Sequence, residues 1–122
     1  MLSTYSPMLG GWGTEVVEQA SYSGEENSLT TIGSMPVIAY TDGRFNKNSL
    51  MLASRVGSGN GNCGFGLNWY CQVLDTGGKV GYAPSIQNFS GRLYISYYDW
   101  TNGDLKLTFQ AFPTFAPFIM KP

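Results

Sequence analysis

Arg92-Leu93-Tyr94-Ile95-Ser96-Tyr97-Tyr98-Asp99, then Trp100-Thr101-Asn102-Gly103, then Asp104-Leu105-Lys106-Leu107-Thr108-Phe109 is the stretch that decides the fold. Its first segment is rich in β-branched and aromatic side chains, which fit a pleated, half-buried surface. Asn102-Gly103 is a strong hairpin-turn signal, because both residue types tolerate positive φ. The segment after it alternates apolar and polar with period two. Residues 92–109 therefore read as a β-hairpin.

The same pattern occurs earlier in the chain. A shift of 57 places Trp12 on Trp69, Val16 on Val73, Gly24 on Gly81, Ser28 on Ser85, Ile38 on Ile95, Tyr40 on Tyr97 and Asp42 on Asp99, with Val17 on Leu74 and Glu18 on Asp75. The register slips by two in the next hairpin, where Ser49, Leu50 and Leu52 meet Asp104, Leu105 and Leu107. Each unit carries a Trp-led strand (12–18 or 69–75), a short strand (28–32 or 85–89), a tight turn, and the hairpin (36–53 or 92–109). No segment keeps a helical period, so the chain is expected to be all-β.

The unit "Ser-Leu/Ile … Ile-x-Tyr-x-Asp … Leu-x-Leu … Trp-x-x-x-Val" resembles the loosely defined β-propeller repeats of bacterial secreted and surface proteins, sialidase-like and lectin-like ones among them. The resemblance covers residues 12 to about 109. It implies two four-stranded antiparallel propeller-type blades and a secreted or cell-surface location. The Ser-x-Asp-x-Gly-x-Thr-Trp box of true sialidases is absent, so their catalytic residues do not transfer. Residues 1–122 form one domain of two repeats, about 12–68 and 69–122, with permuted blade boundaries. The chain opens on an outer strand at 12–18 and stops after the third strand of the second unit at 104–109.

An unpaired strand at 104–109 would be an exposed sheet edge, which proteins avoid. Two blades are also too few, since propellers typically close with about four to eight. A cyclic homo-oligomer answers both points, the strand at 12–18 of one copy completing the sheet of the next. In plan this is similar to the two-blade fucose-binding lectins of bacteria and fungi. A trimer is favoured over a dimer or tetramer; the alternatives are a compact two-sheet monomer and a fragment of a longer propeller.

Composition narrows the function classes. Only 12% of the 122 residues are charged and the net charge is −1, so no basic field exists to hold nucleic acid. Apolar runs stop well short of the roughly 20 residues of a spanning helix, and Met1–Pro7 lacks the basic and apolar regions of a secretory signal. The absence of histidine rules out Ser-His-Asp and Cys-His centres and Cys–His zinc patterns, and no cofactor is expected. Cys63 and Cys71 are spaced to permit a disulfide closing a small loop, the alternative being two buried or free thiols.

The hairpin ends and the connections after each outer strand should emerge on one face. That face gathers Asp42, Arg44, Phe45 and the loop Ser21–Asn27 from one unit, and Tyr98, Asp99, Trp100 and the connection Gly77–Tyr82, with Lys79, from the other. Its carboxylates and arginine beside aromatic plates suit a sugar, and Glu25, Glu26, Arg44, Tyr82, Asp99 and Trp100 are the expected binding residues. Asp42 and Asp99 have a plainer reading as turn-capping residues, and Trp12 and Trp69 as packing between units. The resulting expectation is a lectin-like carbohydrate-binding module. The alternatives are a structural or assembly protein, docking through the apolar tail Phe112–Met120, and a glycosidase using Glu25, Glu26, Asp42 or Asp99.

Overall fold

The computed structural model describes residues 2–6, 11–18, 23–43, 48–57 and 59–110. Their strands are β1 (Leu2–Ser6), β2 (Gly11–Glu15), β3 (Ser23–Ile32), β4 (Met35–Asp42), β5 (Ser49–Arg55), β6 (Trp69–Asp75), β7 (Tyr82–Phe89), β8 (Arg92–Asp99) and β9 (Asp104–Phe109). They form a four-stranded sheet β3-β4-β5-β6, a three-stranded sheet β7-β8-β9 and a separate hairpin β1-β2, and every pairing is antiparallel. The all-β expectation holds. No helix among the described residues is long and apolar enough to cross a membrane.

The expected hairpin at 92–109 forms, with Asp99 opposite Asp104 and Tyr94 opposite Phe109. Several boundaries differ, among them that of β7, which begins at Tyr82 where 85 was expected. The run Ser23–Asn27, polar enough to read as a loop, extends β3 through a bulge between Ser23 and Asn27; Gly24 takes φ 80 there, and its carbonyl accepts the Asn27 side-chain amide at 2.8 Å. Glu25 and Glu26 thus stand on a strand, not in a loop. At the other end, β2 stops at Glu15, so Val16–Glu18 lies beyond the strand expected at 12–18. β1, an unexpected strand, pairs along one edge of β2.

The two sheets pack face to face. One apolar cluster joins Ile32, Val37, Ala39, Leu50 and Leu52 of the first sheet to Ile86, Leu93, Ile95 and Tyr97 of the second. A second cluster, Val17, Tyr40, Met51, Ala53, Cys63 and Trp69, covers the opposite face of the first sheet. Because successive strand residues point to opposite faces, Val37 and Ala39 serve one cluster, while Ile38 and Tyr40 serve the other. That explains an apolar run without alternation. The sheets approach most closely at β3 and β7, where Ile86 N donates to Ser28 Oγ at 3.2 Å and the Asn88 amide to Thr31 O at 2.8 Å. Outward they diverge, leaving a wedge of about 150 Å³ between Leu52 and Leu74 on one side and Leu93, Ile95 and Phe109 on the other.

Trp69 is fully buried, in keeping with its packing role, and its Nε1 donates to Glu15 Oε1 at 2.6 Å. Arg55 adds donors to the same carboxylate at 2.9 and 3.3 Å. This tethers the β1-β2 hairpin to the outer part of the first sheet. The Arg55 hydrogen bond, helped by Trp69, outweighs burial and holds the Glu15 carboxyl below its ordinary range. Trp12 lies on β2, its side chain outside the described residues.

Cys63 and Cys71 are joined in a disulfide across a sequence separation of 8, pinning the loop before β6 to that strand. Closing a loop this short restricts the unfolded chain by about 2–3 kcal/mol in the chain-entropy picture. Reduction should lower the urea-unfolding free energy by about that amount and leave the far-ultraviolet circular dichroism of the sheets unchanged. A reduced protein of unchanged stability would contradict this role.

Candidate functional site

The turns that follow β4 and β8 and the connection that follows β6 meet at one end of the sheets, as their up-and-down order requires. Val80 N donates to Asn48 O at 3.2 Å and Trp100 N to Lys79 O at 2.9 Å, so the segment 76–81 bridges the turn regions of both units. Lys79 N in turn donates to Thr101 Oγ1 at 2.7 Å. Two glycines make this approach possible. A Cβ on Gly78 (φ +126) would stand 2.6 Å from Thr101 Oγ1, and one on Gly81 (φ +86) would stand 2.8 Å from the backbone of Leu50.

Beside this bridge lies a shallow cleft of about 510 Å³, lined by Glu26, Lys79, Tyr82, Ala83, Tyr98 and Trp100. Its walls are aromatic. Trp100 packs against Tyr82 and Tyr98 with ring centroids 6.2 and 6.1 Å apart, tilted and edge-on respectively, and remains 62% exposed. Among the described residues its charged groups are the Glu26 carboxylate and the Lys79 ammonium. Ala83 adopts φ 49, a left-handed conformation that disfavours side chains other than glycine, and its amide donates to Glu26 Oε1. A smaller cleft of about 210 Å³ adjoins it, lined by Glu25, Glu26, Thr41, Gly43, Asn48 and Tyr82.

Three of the expected residues, Glu26, Tyr82 and Trp100, thus share the larger cleft, and Glu25 joins two of them in the smaller. Asp99 lies behind, only 1% exposed. Its carboxylate accepts Asn102 N at 3.2 Å and the Asn102 amide at 2.8 Å, the turn-capping role of an aspartate, and this cap sets the turn that carries Trp100 outward. Arg44 falls outside the described residues, as does the tail 112–120. Tyr98 and Lys79 complete the cleft although the choice of site residues passed over them. Their signal was available, since each lies within two residues of Trp100 or in the glycine-rich connection facing it.

Behind the cleft, Asp99 belongs to a charged network with Asp75, Tyr97 and Lys106. Lys106 Nζ lies 3.0 Å from Asp75 Oδ2 and 3.5 Å from Asp99 Oδ2, and Tyr97 OH donates to Asp75 Oδ2 at 2.6 Å. Burial works against the charged form of Asp75, but hydrogen bonds from Tyr97, Lys106 and Gly77 outweigh it and hold the carboxyl low. Asp99 is held low first by its Asn102 side-chain bond. Lys106 is raised, chiefly by its bond to Asp75, and burial followed by Asp75 pushes the Tyr97 hydroxyl well above its ordinary range. A cluster of Glu18, Cys63 and Cys71 is no metal centre, because both sulfurs are spent in the disulfide.

Compared with protein-family models, with characterised proteins and with solved structures, the chain matches none. The site must therefore be read from its own chemistry. Exposed aromatic plates bordered by one carboxylate and one ammonium can stack on apolar C–H surface and hydrogen-bond hydroxyls.

The network fixes a pH window. Asp75 and Asp99 fold with depressed pKa values, so their contribution is complete above the ordinary aspartate value of about 3.9 and is lost as pH falls through the lower folded values. Tyr97 and Lys106 fold with raised values, so theirs is complete below about pH 10 and is lost as pH rises through the folded ones. The melting temperature should stay level between about pH 5 and 9, falling on both sides. In Lys106→Met the neutral-pH value should drop and the acid fall become shallower. A variant profile that superimposes on the wild type would contradict the network.

Proposed function

We propose that the chain is a lectin-like, carbohydrate-binding module, built from two propeller-type blades and closed into a ring by several copies, with three copies favoured. The observation that carries the binding reading is the open cleft of Tyr82, Tyr98 and Trp100 bordered by Glu26 and Lys79. Sugar rings present C–H faces to such plates and hydroxyls to such charges. The ligand is a neutral or acidic glycan. Single sites bind weakly, having little apolar area to bury, and a ring multiplies them by avidity of roughly 100-fold or more.

Support for the ring comes from equivalent positions of the two units. Leu50 is 0% exposed and its counterpart Leu105 81%, whereas Ile86 is 1% exposed and its counterpart Leu29 52%. Each unit thus leaves bare the surface that the other buries. The exposed face and edge of the second sheet, with Phe89, Leu105, Leu107 and Phe109, correspond to the face of the first sheet that packs inside the chain. The segment before β3 supplies a matching piece. Tyr40 OH donates to Glu18 Oε2 at 3.1 Å as Tyr97 OH donates to Asp75 Oδ2 at 2.6 Å, and Val17 packs on the first sheet as Leu74 packs on the second. Residues 11–18 therefore sit against the first sheet as β6 sits against the second, the outer strand of a sheet whose other strands another copy holds.

A broad glycan array should show retention of the wild-type protein. Trp100→Ala should lose at least about fivefold of it, by the roughly 1–3 kcal/mol typical of a stacking aromatic, while keeping the wild-type elution volume. Absence of retention by wild type, or retention indifferent to Trp100→Ala, contradicts the carbohydrate reading.

A further inference from the structure

We infer that the aromatic cleft of Tyr82, Tyr98 and Trp100 is half of a binding site, and that Glu25 of a second copy of this chain supplies the facing wall. The inference rests on the proposed ring, and it follows from comparing the two clefts position by position.

The smaller cleft is made of Glu25, Glu26, Thr41 and Gly43 from the first unit, closed by Tyr82 of the second. Shifted by 57, those four positions become Tyr82, Ala83, Tyr98 and Trp100, which all line the larger cleft. The two clefts are therefore one construction made twice. In the first the next unit stands across the opening; in the second that place is open, and the larger volume, about 510 Å³ against 210 Å³, is the result. The position equivalent to Tyr82 in the unit that would stand there is Glu25.

The contacts that would carry this copy into place already exist once. Gly81 abuts the Leu50 backbone, and a Cβ there would meet it at 2.8 Å. Its counterpart Gly24, also at positive φ, has nothing within 4 Å of the equivalent point among the described residues, and the counterpart of Leu50, Leu105, lies bare. Thr41 Oγ1 donates to Gly81 O, and the counterparts of that pair in the second contact are Tyr98 and Gly24. Ser28 Oγ accepts Ile86 N, and Ser85 stands ready for Leu29 N. One bond does not repeat, since Ala83 has no carboxylate to match Glu26. The second site is thus more aromatic and draws its acid from the neighbour. A glycan bridging it would touch Trp100 and Tyr98 of one copy and Glu25 of the other, so binding and assembly would reinforce each other.

Cross-linking tests the geometry without any ligand. Because Cys63 and Cys71 are paired, a Glu25→Cys chain and a Trp100→Cys chain each carry one reactive thiol among the described residues. Co-expressed with different tags and treated with a short bismaleimide, they should give a covalent heterodimer. Its yield should exceed about tenfold that of Ser34→Cys paired with Trp100→Cys, proximity acting as effective concentration. Ser34 is exposed in the turn at the far end of β3, about 30 Å from Glu25 at the strand rise. Equal yields for the two pairs would overturn the inference, whether or not the protein retains glycan. A selective 25–100 cross-link in a protein that retains no glycan would uphold the interface and defeat the carbohydrate reading alone.

Discussion

The packing of the first sheet against the second along β3 and β7 is the constraint on which the structure turns. It buries Val37, Ala39, Leu50 and Leu52 against Ile86, Leu93, Ile95 and Tyr97. In the proposed two-unit reading this is a front-to-back contact, the sheets meeting through different faces of one unit. On that proposal, whatever surface one unit offers forward the other also offers, and whatever one receives the other can receive. Leu29 at one end and Leu105 at the other lie bare, and among the described residues β9 has a strand on one side only.

The cleft inherits its form from the same contact. Tyr82 reaches the ends of β3 and β4 only because β7 lies beside β3, and Trp100 is turned outward because Asp99, buried against Lys106 and Asn102, fixes the turn behind it. Rigidity and exposure are thus divided between neighbours in sequence: the aspartate holds, the tryptophan is presented. Gly78 and Gly81 are needed where the connection from β6 squeezes between the two turns.

Much of this was legible in the residues. The duplicated motif, the Asn102-Gly103 turn and the period-two run at 104–109 located most strands to within a residue or two, because each signal is local. Glu25 and Glu26 were misplaced in a loop because a bulged strand of polar residues has no alternation to reveal it. β1 was missed for a related cause: Leu2-Ser3-Thr4-Tyr5-Ser6 is short and mixed, and what makes it a strand is the neighbouring β2. Asp99 could be read as ligand or as turn cap from its type alone, and burial decided for the cap. Tyr98 was named on the right face, but its membership of the cleft depends on where Tyr82 arrives from the other side of the repeat.

The central claim is that the surface buried once inside the chain is buried again between copies. Solution mass by multi-angle light scattering at micromolar concentration tests it most directly. The account predicts a single species at a whole multiple of 13.3 kDa, with the trimer near 40 kDa, three copies giving six of the roughly four to eight blades of a closed ring. A species of 13.3 kDa that persists as concentration is raised would contradict it.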